Sequence, residues 1–239
     1  MGYVYFALDV DSEERARPLL EMLAPHIGIK IGHELAEAMG SGHAIALAQE
    51  YGAQNIFRDG KFIDIPPSVA GAIKKVAMRR VTVVNVMALG GRAMMVAARK
   101  AAEEVAQETG ERTKVIAVTI LTSLNQGDLE ELNFTRIDLT MHAASLAKLA
   151  QDCELDGVVA SPLEAPMIRE VCGPNFDITT PGITPAWALW AIRADQKRTT
   201  THIEAKTFGA SNIVVGRAIS AAPNPVEAAL RISEEFDAA

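Results

Sequence analysis

The sequence has few cysteines and no segment typical of secretion or membrane insertion. Cys153 and Cys172 are the only two cysteines among the 239 residues, and they form no C-x-x-C pattern. Because two cysteines do not make a disulfide framework, we expect a reducing, cytoplasmic location. The amino terminus lacks the basic start of a signal peptide, and no uninterrupted apolar run approaches the length that crosses a membrane.

Positive charge is also scarce, since 23 Lys and Arg face 30 Asp and Glu and leave a net charge of -7. This balance argues against a nucleic acid or an anionic membrane as partner, so an anionic ligand needs a local basic site. The histidines show no H-E-x-x-H or other metal-ligand spacing; they are His26, His33, His43, His142 and His202. We therefore expect no histidine-bound metal.

What the sequence does contain is an alternation of short apolar runs and helical segments, which predicts one α/β domain over residues 1–239. Strands are predicted at 3–9, 27–31, 55–59, 81–86, 115–121, 157–160, 176–179 and 213–215. Helices are predicted at 33–39, 44–51, 69–78, 92–109, 138–153, 163–171, 201–208 and 225–236, with another after residue 11. Eight strands alternating with helices predict a (β/α)8 TIM barrel. A doubly wound open sheet is the alternative, but strand one carries no G-x-G-x-x-G turn.

Polar side chains stand at the carboxyl ends of the predicted strands. They are Asp9, Lys30, Asp59, Lys61, Ser123, Ser161 and Arg217. In a TIM barrel these ends converge on one mouth. The first four alternate in sign, and a lysine flanked by carboxylates stays charged. Each taken alone has a simpler explanation as a surface salt bridge or helix cap; together they suit a reaction in which negative charge appears on carbon.

The segment 57–66 concentrates this chemistry, because Asp59, Lys61 and Asp64 stand at i, i+2 and i+5. If the extended backbone continues to Lys61, period-2 alternation directs Asp59 and Lys61 to the same side. Asp64 lies past the strand, just before two prolines that end regular pairing, and is expected to point elsewhere, even toward another chain. The alternative is three solvated charges in a loop.

The end of strand eight is the candidate phosphate site. Gly216 and Arg217 follow this strand with a helix soon beyond, where backbone amides and a guanidinium can share phosphate oxygens. Gln196 lies in a loop of about twenty residues that starts at Thr180 and is long enough to close over a ligand. A surface arginine and a disordered excursion are the respective alternatives.

With these residues laid out, the chain resembles the orotidine 5'-monophosphate decarboxylase family over nearly its whole length. The motifs that carry the resemblance are Leu8-Asp9, Ile29-Lys30-Ile31-Gly32, Asp59-Gly60-Lys61-Phe62-Ile63-Asp64-Ile65-Pro66, Gly90-Gly91, Leu121-Thr122-Ser123, Ser161-Pro162, Thr180-Pro181-Gly182-Ile183, Asp195-Gln196-Lys197-Arg198 and Val215-Gly216-Arg217. The D-x-K-x-x-D element alone is shared with metal-dependent relatives, hexulose-phosphate synthase and ketogulonate-phosphate decarboxylase. Those relatives resemble one another in having a Glu near Lys30, where a lysine would repel the metal. Two positions depart from the family pattern: Met87 stands where His is frequent, and Ser68 where Thr is usual.

The resemblance implies cofactor-free removal of the C6 carboxylate of orotidine 5'-monophosphate, giving uridine 5'-monophosphate in de novo pyrimidine biosynthesis. Lys61 would donate the proton to C6, while Asp59 would crowd the leaving carboxylate and hold Lys61. Lys30 and Asp9 would bind ribose hydroxyls and extend the charge network. Asp64 would reach the ribose in a neighbouring subunit's site, which makes the active unit a homodimer.

The resemblance also implies the remaining substrate contacts. Ser68 keeps a hydroxyl for a sugar contact, and Ser123 would bind the pyrimidine edge. The other expected substrate-binding residues are Pro181, Gly182, Gln196, Gly216 and Arg217, of which Gln196 and Arg217 grip the phosphate. A metal-dependent sugar-phosphate lyase and a non-catalytic barrel that binds a phosphate ligand remain the alternatives.

Overall fold

Eight parallel strands close into a barrel in the computed structural model, which describes residues 3–133, 138–191 and 200–239. They are β1 (Val4–Ala7), β2 (Gly28–Ile31), β3 (Ile56–Phe62), β4 (Val83–Met87), β5 (Lys114–Val118), β6 (Gly157–Val159), β7 (Asp177–Thr180) and β8 (Asn212–Val215). Each strand pairs with the next along the chain, and β8 pairs with β1 through Val4 opposite Ile213. The predicted TIM barrel is confirmed, and the open-sheet alternative is wrong.

Helices connect successive strands on the outside of the barrel. They are α1 (Glu13–Leu23), α2 (His33–Met39), α3 (Ser41–Glu50), α4 (Pro66–Ala77), α5 (Gly91–Thr109), α6 (Gln126–Glu131), α7 (Leu139–Asp152), α8 (Ala165–Cys172), α9 (His202–Thr207), α10 (Arg217–Ser220) and α11 (Pro225–Ala238). Short 3-10 turns occur at Ala88–Gly90, Pro162–Glu164 and Ala186–Ala191. In the part of the chain that the structure describes, no helix combines the length and apolar character that a membrane span needs.

The helix α6 was not predicted. Asn125 caps it by accepting a hydrogen bond from the Asp128 backbone N–H, and the Asp128 side chain accepts one from the Asn125 backbone in return. This reciprocal cap satisfies two backbone donors that a helix start leaves unpaired. Six residues that include a glycine are too few to produce an apolar period, so the cap was the only signal in the sequence.

Two layers of apolar side chains stabilise the barrel. The outer layer lies between strands and helices and includes Phe6, Ile29, Leu20 and Phe236, all of which are fully buried. The inner layer fills the barrel, and is formed by Tyr5, Phe57, Val83, Ile116, Val118, Val159 and Val214, with Met87 packed against it. Side chains alternate along a strand, so every second residue points into the barrel. The inward-pointing residues beyond this layer, at the carboxyl ends of the strands, line the mouth of the barrel.

Candidate active site

Four charged side chains form one connected network at the mouth of the barrel. The ammonium of Lys30 lies 2.9 Å from Asp9 Oδ1 and 3.3 Å from Asp59 Oδ2. The ammonium of Lys61 lies 2.6 Å from Asp59 Oδ1. Asp59 is therefore shared by two lysines, one on each carboxylate oxygen. The structure thus brings together Asp9, Lys30, Asp59 and Lys61, as their positions at strand ends predicted.

The depth of the side chains differs within this network. The side chains of Lys30 and Asp59 are only 9% and 12% exposed, whereas that of Lys61 is 31% exposed and that of Asp9 is 53% exposed. Lys61 is therefore the more accessible of the two lysines, and Lys30 lies deeper in the mouth. Gly32 leaves this space open, because an added Cβ there would lie 3.0 Å from Asp9 Oδ1 and 3.2 Å from Lys30 Nζ.

Lys61 lies within β3, but its backbone is not extended, which was the condition for the regular alternation expected from the sequence. The pairing register between β3 and β4 shifts between Arg58 and Phe62, and Lys61 has a φ of 45°. A left-handed backbone is strained for a residue with a side chain, and such strain is typical of functional sites. The expectation that Asp59 and Lys61 share a side is correct, although a β-bulge and a left-handed Lys61 interrupt the regular alternation.

Asn85, in the middle of β4, joins the network and was missed by the sequence analysis. Its Nδ2 donates to Asp59 Oδ1 at 2.7 Å, and its Oδ1 accepts the Lys61 backbone N–H at 2.7 Å. The residue is fully buried. The signal in the sequence was a single amide within the apolar run 81–86, which the strand prediction absorbed.

The network favours the charged forms of Asp59 and Lys30. Burial raises the pKa of the Asp59 carboxyl, but Lys30 and Lys61, with the amide of Asn85, more than offset this and hold the pKa at about 2. Burial lowers the pKa of the Lys30 ammonium, and the charges of Asp59 and Asp9 outweigh it, so that the net shift is upward. Near neutral pH the mouth therefore contains a deeply placed carboxylate between two cations.

The next three candidates lie on the exposed rim. Asp64, Ser68 and Ser123 are all solvent-exposed. Asp64 Oδ1 accepts the backbone N–H of Ile65 at 2.6 Å, so the side chain is turned toward its own loop. None of the three is part of the buried network.

Ser161 is different from what its position at a strand end suggested. It is fully buried, its hydroxyl accepts a hydrogen bond from the Leu163 backbone N–H, and its own backbone N–H donates to Glu164 Oε2. For this residue the helix-cap explanation holds, because both groups satisfy the start of the turn that follows β6.

The candidate phosphate residues lie at the ends of β7 and β8, which are neighbouring strands. Gly216 precedes α10, and Arg217 is its first residue and is half-buried. Pro181 and Gly182 follow β7 directly, and Gly182 has a φ of 76°. Gln196 lies outside the described residues.

The ends of the long loop after β7 are tied together. The Thr184 backbone N–H donates to the Thr200 carbonyl at 2.9 Å, and the Thr200 N–H donates to the Gly182 carbonyl at 3.3 Å. The two ends of the loop are therefore hydrogen-bonded to each other, next to the candidate phosphate residue Gly182.

Comparison with known proteins decides which family this site belongs to. Residues 2–232 match the family model described as Orotidine 5'-phosphate decarboxylase / HUMPS family. The chain belongs to this family. A curated orotidine 5'-phosphate decarboxylase from Geotalea uraniireducens (strain Rf4) is 44% identical over 236 residues, covering 98% of this chain and 94% of the relative. Another, from Moorella thermoacetica (strain ATCC 39073 / JCM 9320), is 43% identical and covers 98% and 92%.

Solved structures agree with this placement in the orotidine 5'-phosphate decarboxylase / HUMPS family. The crystal structure of orotidine 5'-phosphate decarboxylase from Lactobacillus acidophilus superposes with a TM-score of 0.86 at 34% identity, covering 99% of this chain and 100% of that chain. The corresponding enzyme from Pyrococcus horikoshii OT3 gives a TM-score of 0.75 at 27% identity, covering 98% and 99%.

Within this family, the arrangement at the mouth is suited to stabilising negative charge. Both oxygens of Asp59 already face ammonium groups. Among the described residues, no group of three His, Cys, Asp or Glu side chains is arranged to hold a metal ion. The more exposed positive charge of the network is the Lys61 ammonium, which contacts the carboxylate of Asp59.

Proposed function

We propose that the protein decarboxylates orotidine 5'-monophosphate to uridine 5'-monophosphate in pyrimidine biosynthesis, without a metal or coenzyme. Its family and its curated relatives, which carry the name orotidine 5'-phosphate decarboxylase, support this reaction. The observation that carries it is the contact of 2.6 Å between Lys61 Nζ and Asp59 Oδ1, at the open side of a buried charge network.

The reaction needs such a network because of where the electrons go. When the C6 carboxylate leaves as carbon dioxide, the electron pair of the broken bond stays on C6, in the ring plane and outside the π system. An ammonium about 4 Å from that anion contributes on the order of 4 kcal/mol at an effective dielectric near 20. Lys61 would supply this charge and then transfer a proton to C6.

Asp59 has two roles in the proposed mechanism. Its low pKa keeps it ionised, so it repels the substrate carboxylate next to it and favours departure of carbon dioxide. It also holds the Lys61 ammonium by a hydrogen bond. Lys30 pairs with the other oxygen of Asp59 and so offsets the cost of burying this carboxylate in the fold. The repulsion between Asp59 and the substrate carboxylate then acts on the substrate.

The remaining substrate groups are assigned by position. Lys30 and Asp9 would bind ribose hydroxyls, Ser68 would add a sugar contact, and Ser123 would bind the pyrimidine edge. The phosphate would lie at the ends of the last two strands, against Pro181, Gly182, Gly216 and Arg217, with Gln196 reaching it from the long loop. Phosphate binding energy could then be used in the transition state.

We also propose a cytoplasmic homodimer in which Asp64 completes the neighbouring subunit's site. Asp64 is exposed, and the apolar side chains on both sides of it, Ile63 and Ile65, are 55% and 65% exposed. Exposed apolar groups around a carboxylate favour contact with another protein surface. Cys153 and Cys172 are both buried and free, which fits a reducing compartment.

The test is turnover of orotidine 5'-monophosphate by the purified protein in excess chelator, followed by loss of orotate absorbance and by chromatography of the product. We expect uridine 5'-monophosphate to form at the same rate with and without chelator. Activity lost to chelator and restored by a divalent cation would indicate a metal-dependent lyase instead. Binding of the nucleotide without any turnover would indicate a non-catalytic barrel.

A further inference from the structure

The carboxamide of Asn85 is the point at which the two parts of the Asp59–Lys61 pair meet. One end donates to the Asp59 carboxylate, and the other end accepts the backbone N–H of Lys61, both at 2.7 Å. A carboxylate can only accept and a peptide N–H can only donate, so the orientation of the amide is determined by its partners.

The position of Asn85 explains why a side chain makes these bonds. The pairing register between β3 and β4 shifts between Arg58 and Phe62, and the Lys61 N–H lies inside this interruption of the ladder. The buried amide of Asn85 accepts this N–H at the point where the Lys61 backbone is left-handed. A partly buried N–H without a partner would be costly, so Asn85 stabilises the bulge.

The same amide sets the rotation of the Asp59 carboxylate. Asp59 Oδ1 accepts from both Asn85 and the Lys61 ammonium, while Oδ2 faces Lys30 at 3.3 Å. If the carboxylate rotated, it would lose its alignment with all three donors. The rigid amide of Asn85 therefore binds the Lys61 main chain and also Asp59, the residue that holds the Lys61 ammonium.

We propose that Asn85 is a positioning residue for the reaction: it holds the Lys61 ammonium at the reacting carbon by clamping both the bulge and Asp59. This inference rests on the proposed function of Lys61 as proton donor. Asn85 lies beneath the network and acts through Asp59 and Lys61, so its loss should affect the chemical step more than substrate binding.

The first test compares Asn85→Ala with Asn212→Ala. Asn212 is a matched control because it too bridges neighbouring elements, donating to Thr179 Oγ1 at 3.2 Å and accepting the Tyr3 backbone N–H at 3.1 Å, on a different strand of the barrel. We expect Asn85→Ala to lower kcat about 100-fold with KM changed by less than about threefold. Asn212→Ala should change kcat by less than about twofold, whatever it does to the melting temperature.

The second test, Asn85→Asp, separates positioning from packing by its pH profile. When protonated, the new carboxyl can still donate to Asp59 and accept from Lys61, so it reproduces the amide. When ionised, it loses the donor and faces Asp59 as a like charge, which also raises its pKa. We expect the activity of this variant to be restored as the pH is lowered and to fall about tenfold per pH unit above that pKa, a limb that the unmodified protein lacks.

The outcomes distinguish this inference from the proposed function. If the unmodified protein does not turn over orotidine 5'-monophosphate, the proposed function fails. The contact between Asn85 and Asp59 can still be tested by NMR titration of the Asp59 carboxyl. The pKa of this carboxyl, about 2 in the unmodified protein, should rise in Asn85→Ala. If the unmodified protein is active, the inference is overturned when Asn85→Ala keeps kcat within about threefold, or when Asn85→Asp shows no such limb while folded by circular dichroism.

Discussion

Replacing Lys61 with alanine removes the more exposed of the two ammonium groups that flank Asp59, at 31% against 9% for Lys30. A partly exposed site calls for an effective dielectric of about 20, at which a unit charge about 4 Å from the C6 anion contributes about 4 kcal/mol. That energy corresponds to about a thousandfold in kcat. The loss of the proton donor adds to it, so a thousandfold is the smallest decrease that we expect.

The variant has a second defect that a double-mutant cycle can measure. Without Lys61, Asp59 keeps Lys30 at 3.3 Å and the Asn85 amide at 2.7 Å, and so it remains ionised. Its charge then opposes the anion on C6 with less compensation. We therefore expect Lys61→Ala combined with Asp59→Ala to lose less activity than the sum of the two single losses.

The assay is kcat from orotate absorbance at saturating substrate, with uridine 5'-monophosphate quantified by chromatography and the fold checked by circular dichroism. Lys74→Ala is the matched control, because this lysine pairs with Glu104 between two outer helices, and it should keep kcat within about twofold. If a folded Lys61→Ala protein keeps more than about a tenth of kcat, the electrostatic reasoning is wrong.

Three further predictions follow from the same geometry. Because the pKa of Asp59 is lowered from 3.8 to about 2, its contribution to stability is complete above about pH 4 and is lost as the pH falls through 2; acid unfolding of Asp59→Asn should lack this component of about 2 kcal/mol. Mixing inactive Lys61→Ala and Asp64→Ala proteins should restore activity to about a quarter of the sites if Asp64 crosses between subunits, and none if it acts within its own chain. Arg217→Ala should raise KM by about 10- to 100-fold through loss of charge-assisted phosphate contacts, whereas an unchanged KM would place the phosphate elsewhere.

The barrel and the charge network were predictable because each depends on a short stretch of sequence. A run such as 27–31 is apolar enough to be recognised as a strand, and the polar residue near its end, Lys30, is then assigned to the mouth by the barrel itself. The pairing of Lys30 with Asp9 and Asp59 follows from neighbouring strands and opposite charges.

The details that set the geometry could not be predicted, because they depend on contacts between distant residues. The bulge at Lys61 depends on an acceptor 24 residues further along the chain, Asn85. The sequence around Lys61 contains no signal of this hydrogen bond. Ser161 shows the reverse case, where a polar strand end satisfies the next turn instead of the mouth. Asp64 turns toward its own loop, where its Oδ1 accepts the Ile65 backbone N–H.

The measurement that bears most directly on the role of Lys61 is hydrogen exchange at C6 of uridine 5'-monophosphate in deuterium oxide. By microscopic reversibility, the group that protonates the C6 anion must also remove the C6 proton from the product. We predict that the unmodified protein, in excess chelator, introduces deuterium at C6, and that Lys61→Ala does so at least about a thousandfold more slowly. Equal exchange by Lys61→Ala, or exchange only when a divalent cation is added, would contradict stabilisation of the carbon anion by fixed protein charge.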